Sequence, residues 1–142
     1  MTSTPPKLRR ILLVEDNPGD VVLTRRAFNR ITQQAHIHSV ENGVLALEYL
    51  RDPKEPQPDL ILLDLNLPLR SGQDVLAEIK RDPVLRRIPV LILTSSRAHE
   101  DILVAYDMSA NCYMVKPGDP ETFRQLAGTI YRHWFEFAEI AS

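Results

Sequence analysis

Four short runs of apolar residues, ending at Val14, Leu63, Leu93 and Val115, constrain this chain more than any other feature. Ile11 to Val14, Leu60 to Leu63 and Val90 to Leu93 contain no polar residue, so they lack the alternation of a strand with one wet face. They read as strands buried on both faces. A shorter strand fits His36 to Val40, and strand ends near residues 16, 41, 64, 94 and 116 recur every 22 to 30 residues. Each strand is followed by one helix. Asn17-Pro18 starts the first, Asn42 the second, Ser71 with Asp74 the third, and Asp119-Pro120 the fifth. A fourth is expected after Ser96, with Ile102, Leu103 and Tyr106 turned inward. Five strands alternating with five helices make a doubly wound α/β fold on a parallel sheet. An eight-unit barrel would need roughly 250 residues, and the chain has 142.

That length suits one domain. Residues 1–7 read as a disordered leader and residues 8–142 as a single domain with an extended C-terminal helix. Seventeen Lys and Arg against nineteen Asp and Glu give a net charge of −2, which provides no positive field for nucleic acid or an anionic membrane. Direct DNA binding and membrane insertion are not expected, and with no signal-like apolar stretch at the N-terminus the chain is placed in the cytoplasm. A single cysteine, Cys112, excludes an internal disulfide. With only four histidines, at 36, 38, 99 and 133, it also gives no zinc or iron–sulfur ligand pattern.

In a parallel sheet, residues just past the strand C-termini share one crevice. Here these are Glu15 and Asp16, then Asp64 and Asn66, then Thr94 with Ser95-Ser96, and finally Lys116-Pro117. Three carboxylates crowded together raise one another's pKa values and need protons or a cation to coexist. A hard divalent ion, Mg²⁺ with Mn²⁺ as a substitute, suits an all-oxygen set. Lys116 and the Thr94 hydroxyl are then left for a phosphate.

The pieces Val14-Glu15-Asp16-Asn17, Asp64-Leu65-Asn66-Leu67-Pro68 with Gly72, Thr94-Ser95, and Tyr113 three before Lys116-Pro117 occur in one order and spacing. On these the chain resembles a two-component response regulator, a receiver domain of the CheY-like superfamily, from Ile11 to Leu126. The resemblance implies the strand order 2-1-3-4-5. It makes Asp64 the phosphoacceptor from a sensor histidine kinase, with Lys116 and Thr94 binding the phosphoryl oxygens. Asp16, Asp64, the Asn66 backbone carbonyl and Glu15 through water are the implied metal ligands. A cis peptide between Lys116 and Pro117 is also implied. Thr94 and Tyr113 form the implied switch, read out on the face of the fourth helix, fifth strand and fifth helix. The departure is Glu15, where many members carry aspartate, so its extra methylene shifts the metal geometry. Such a domain accepts phosphate and releases it by autodephosphorylation, with no turnover of external substrates. The stretch Glu15 to Asp20 and the aromatic C-terminal helix further resemble single-domain regulators paired with the phytochromes of cyanobacteria and other bacteria.

Other readings exist for each residue. Loop acids are usually caps or solvated, Tyr113 also reads as edge packing, and Cys112 as a small buried residue. A phosphohydrolase that forms an aspartyl phosphate is expected to carry Asp-x-Asp on its first strand, and here the pair is Asp64-x-Asn66 on the third. A flavodoxin-like cofactor binder lacks its glycine loop, and a docking module without phosphate chemistry does not need the full Asp16, Asp64, Thr94 and Lys116 set. At 100° per residue Phe123, Leu126, Ala127, Ile130, Trp134 and Phe137 form a core stripe with Tyr131, Phe135 and Ala138 to one side of it, and the surplus of aromatics, Tyr131, Trp134 and Phe135, is expected to meet a second copy, as a homodimer, or another partner.

Overall fold

A computed structural model of the chain describes residues 9–32, 35–95 and 110–137. The apolar runs become β1 (Arg9–Val14), β3 (Leu60–Leu63), β4 (Val90–Thr94) and β5 (Cys112–Val115), with β2 (Ala35–Val40) beside β1. All pairings are parallel and the order is β2-β1-β3-β4-β5, as the resemblance implies. Every residue of β3 and β4 is buried, whereas β2 at the edge exposes His36 and His38. Unbroken apolar runs therefore mark the strands covered on both faces.

The covering layers follow from strand alternation. Leu12, Val14, Ile61, Leu63 and Ile92 pack with α2 (Gly43–Arg51) and α3 (Gly72–Arg81) through Ala46, Leu50, Val75 and Ile79. Ile11, Leu13, Leu60, Leu62 and Leu91 pack with α1 (Pro18–Asn29) and α4 (Pro120–Tyr131) through Phe28, Phe123, Ala127 and Ile130. Burying each such side chain contributes about 1.5–3 kcal/mol relative to exposure, so the two layers fix the sheet from both sides.

Each helix start carries the cap expected of it. Asn17 accepts from the Asp20 amide at 3.2 Å, Asn42 from Leu45 at 2.8 Å, Ser71 from Asp74 at 3.1 Å, and Asp119 from Thr122 at 2.9 Å. The described residues hold four helices: α4 is the helix expected as the fifth, and the expected fourth, after Ser96, lies outside them, as does the leader. A 3₁₀ turn, Leu85–Arg87, interrupts the loop between Pro83 and Pro89 and buries Leu85. No described helix is long and apolar enough to cross a membrane.

The C-terminal helix departs from expectation in its phase. After Tyr131 the backbone continues as a π segment, Arg132–Phe137, in which i→i+5 bonding gives less rotation per residue than an α-helix. Phe135, five after Ile130, therefore takes the inward position that α geometry would give Trp134. It is 7% exposed, with the Arg9 guanidinium 5.4 Å above its ring and the Tyr131 ring edge-on at 5.3 Å. Phe135, expected on the partner surface, is buried in the core of this chain. Tyr131 and Trp134 are half-buried.

Candidate functional site

Parallel register assembles the crevice. Val14 pairs with Leu63 and the Asp64 amide donates to the Val14 carbonyl at 3.1 Å, so Glu15 and Asp64 leave their strands side by side. Thr94 pairs with Val115 and the Lys116 amide donates to the Thr94 carbonyl at 2.8 Å. Carboxylate oxygens of Glu15, Asp16 and Asp64 lie within 4.8 Å of one another. Glu15 and Asp64 are 4% and 5% exposed, while Asp16 is open to solvent. The cluster thus has a buried base and an accessible mouth.

Lys116 reaches into that base. Its Nζ lies 2.5 Å from Glu15 Oε1, 3.0 Å from Asp64 Oδ2 and 2.8 Å from Asp20 Oδ2, and its side chain is 11% exposed. Asp20 is a site residue that sequence reasoning missed. It sits in the first turn of α1, where an acid is already favoured by the helix dipole, so nothing in the sequence separates the two roles. The one available signal is that α1 starts directly after the Glu15-Asp16 pair, which aims its first turn at the crevice.

These contacts set the charges. Burial, aided by the Asp64 charge and opposed by Lys116, pushes the Glu15 carboxyl up to about 7. Burial also acts to raise Asp64, but hydrogen bonds from the Thr94 hydroxyl and the Asn66 amide (3.2 Å), together with Lys116, outweigh it and hold the carboxyl below its ordinary value. Burial disfavours the Lys116 ammonium, yet Asp20, Glu15 and Asp64 reverse that and raise its pKa. At neutral pH Asp64 is therefore an ionised, oriented carboxylate, while Glu15 sits near its own titration point.

Thr94 is fully buried beside Asp64. Tyr113 stays outside the cluster. It lies two residues before Val115, the partner of Thr94, so Thr94 and Tyr113 are diagonal neighbours on one face of the sheet, and Tyr113 packs half-buried against the core on that side. Gly72 closes the loop after Asp64: a Cβ there would meet the Asp64 carbonyl oxygen at 2.2 Å and the Leu65 Cα at 2.5 Å, so only glycine allows this approach. The cis peptide implied for Lys116-Pro117 is not found. No peptide among the described residues is cis, and Lys116 reaches all three carboxylates from the trans form that X-Pro bonds ordinarily favour.

The donor set at the mouth is all oxygen and anionic, with Asp16 exposed, which fits a hard divalent cation held by Glu15, Asp16 and Asp64. Beside it stand an ammonium and a hydroxyl suited to phosphoryl oxygens. An acidic cluster, one ionised aspartate and one lysine thus meet at the C-terminal edge of a 2-1-3-4-5 sheet. The family model for the response regulator receiver domain matches residues 11–127, and the chain belongs to that family.

Its relatives narrow the type. The chain is 38% identical over 138 residues to the response regulator Rcp1 of Synechocystis, covering 94% of this chain and 92% of Rcp1. Among solved structures it is similar to the phosphorylated cyanobacterial phytochrome response regulator RcpA, at 40% identity and a TM-score of 0.90 over 94% of this chain and 99% of that one. It is also similar to the Mn²⁺-bound form of Rcp1, at 35% identity and a TM-score of 0.87 over the same shares.

Proposed function

We propose that this chain is a stand-alone response regulator in which Asp64 takes a phosphoryl group from the phosphohistidine of a phytochrome-type sensor kinase in the cytoplasm. The observation that carries the reading is the Lys116 Nζ, 3.0 Å from an Asp64 oxygen, beside three carboxylates whose oxygens lie within 4.8 Å of one another. In the transfer the phosphorus–nitrogen bond breaks, an Asp64 oxygen–phosphorus bond forms, and the electron pair returns to the imidazole. Asp64 supplies the nucleophile because its neighbours keep it ionised. Lys116 exchanges carboxylate partners for a phosphoryl oxygen, and Asp16, Asp64, the Asn66 carbonyl and, through water, Glu15 would hold Mg²⁺. When bound, that ion neutralises charge on the phosphoryl oxygens.

The single-domain reading is supported by a match that spans 92% of Rcp1, and the phytochrome partner by the similarity to RcpA. Redirecting the Thr94 hydroxyl from Asp64 toward a phosphoryl oxygen opens space on the face where Tyr113 lies diagonal to it, which makes Tyr113 the ring that responds. A homodimer contact, if one forms through the C-terminal helix, uses Tyr131 and Trp134.

Incubation with Mg²⁺ and a small acyl phosphate, followed by intact mass, tests the reading. One added phosphate is expected on the parent and none on Asp64→Asn. An unmodified parent overturns the proposal, and turnover of phosphate monoesters would favour the phosphohydrolase.

A further inference from the structure

A groove of about 680 Å³ runs from the rim of the crevice along the sheet edge, between α1, β2 and α2. Three of its features point to one kind of occupant. Its floor is apolar and open: only four large hydrophobic residues are exposed among the described residues, and two of them, Val22 at 45% and Leu45 at 38%, line this groove beside Val21 and Val40. Its rim is acidic, with Glu41, Glu48, Asp52 and Glu55, and Glu15 and Asp16 at the crevice end. No lysine or arginine lines it, and none of those four rim acids has an ion-pair partner among the described residues. Finally, the His38 and Tyr49 rings stack face to face at 4.3 Å, so the wall between β2 and α2 is held in one shape and extends the apolar floor.

The charge excludes occupants that carry phosphate, so neither nucleic acid nor an anionic membrane suits this surface. Strand addition is also disfavoured, because Arg25 donates to the Ile37 carbonyl of the edge strand at 2.6 Å and to Ser39 Oγ at 3.0 Å. What remains is an occupant that docks by side chains, apolar on one side and basic on the other. We propose that the groove between α1, β2 and α2 docks a basic amphipathic helix of a partner protein, with its apolar stripe on Val22 and Leu45 and its lysines or arginines toward the acidic rim. The nine residues of α2 span about 14 Å, the length of a helix of about ten residues. The surface lies apart from the C-terminal helix, and the inference does not depend on phosphate uptake by Asp64.

A fluorescently labelled Lys/Leu peptide with leucines at helical spacing is the probe, with a scrambled peptide and a Glu/Leu peptide of the same pattern as controls. Anisotropy is expected to show binding at least about tenfold tighter than either control and weakened by salt. Amide shift changes should concentrate in the first turns of α1, in β2 and in α2. The double variants Val22→Ser/Leu45→Ser and Glu48→Gln/Glu55→Gln alter exposed groups, so both should melt like the parent, yet each should lose about tenfold in affinity. Absent binding, equal binding of the scrambled peptide, undiminished binding by both double variants, or shifts confined to another face would each overturn the proposal.

Discussion

Replacing Lys116 by methionine keeps the aliphatic stem and removes the one ammonium that three carboxylates share. The Nζ contacts with Glu15, Asp64 and Asp20 lie between 2.5 and 3.0 Å, and the lysine side chain is only 11% exposed. Removing one partner of a buried ion pair costs about 3–5 kcal/mol. The lower end applies here, because the Asp20 side chain is 26% exposed, and on the acid side the cost falls further as Glu15 takes up a proton in place of the ammonium. That proton gives the effect a pH dependence of definite sign. The Glu15 carboxyl, raised from 4.5 to about 7, contributes stability that is present in full below its unfolded value and is lost as pH rises through about 7. Without the ammonium its pKa moves higher still, so the deficit of Lys116→Met grows with pH and is smallest on the acid side. A divalent cation substitutes for the lost charge, and ligand at a hundred times its dissociation constant adds about 2.7 kcal/mol. In urea unfolding under chelator at alkaline pH, the variant should lose about 3 kcal/mol, a midpoint shift of about 2 M. Saturating Mg²⁺ should recover most of it, and should stabilise the variant more than the parent, whose ammonium must be displaced. Equal stability of variant and parent at alkaline pH in chelator, or a deficit indifferent to both pH and Mg²⁺, would refute the reasoning.

Glu15 must shed its proton to hold a cation, so Mg²⁺ affinity measured by calorimetry should rise about tenfold between about pH 6 and pH 8, with a released proton that makes the observed heat depend on the buffer; a flat profile removes Glu15 from the metal site. Gly72→Ala puts a methyl 2.2 Å from the Asp64 carbonyl oxygen and should cost about 1–3 kcal/mol in thermal unfolding, with phosphate uptake slowed because the loop bearing Asn66 shifts. Leu69 adopts a φ of 67° while its side chain is 79% exposed, so Leu69→Asn should stabilise the fold by up to about 1 kcal/mol, and a destabilised variant would show that the leucine makes contacts worth keeping.

The strands and helix starts were legible in the sequence because each is fixed by residues close together. Leu60 to Leu63 needs two covering layers whatever surrounds it, and Asn17, Asn42, Ser71 and Asp119 each bond an amide three residues on. The crevice was legible for a different reason: parallel strands convert sequence position at strand ends into proximity, so Glu15, Asp64, Thr94 and Lys116 could be brought together without knowing a single side-chain angle. Asp20 escaped because an acid in a first helical turn has an ordinary explanation, and only the reach of Lys116 across 96 residues reveals the second role. Phe135 escaped because helical phase was carried forward at 100° per residue, and a π segment after Tyr131 moves the aromatic set round by one position.

The interior of the site is held together by charges that can be exchanged and not by apolar packing. A buried carboxylate pair such as Glu15 and Asp64 needs compensation to fold, and here it comes from an ammonium and from a proton that Glu15 binds near neutrality. Both are displaceable without moving the backbone. A core of leucines would be more stable and could not respond, because neither a cation nor a phosphoryl group has anything to replace there. The sheet carries the rigidity, as every β3 and β4 residue is buried. The crevice can then change its charge partners on a fixed frame, and in the function proposed above Thr94, tied to Asp64 on one side and lying diagonal to Tyr113 on the other, is the residue placed to pass the exchange into the sheet face.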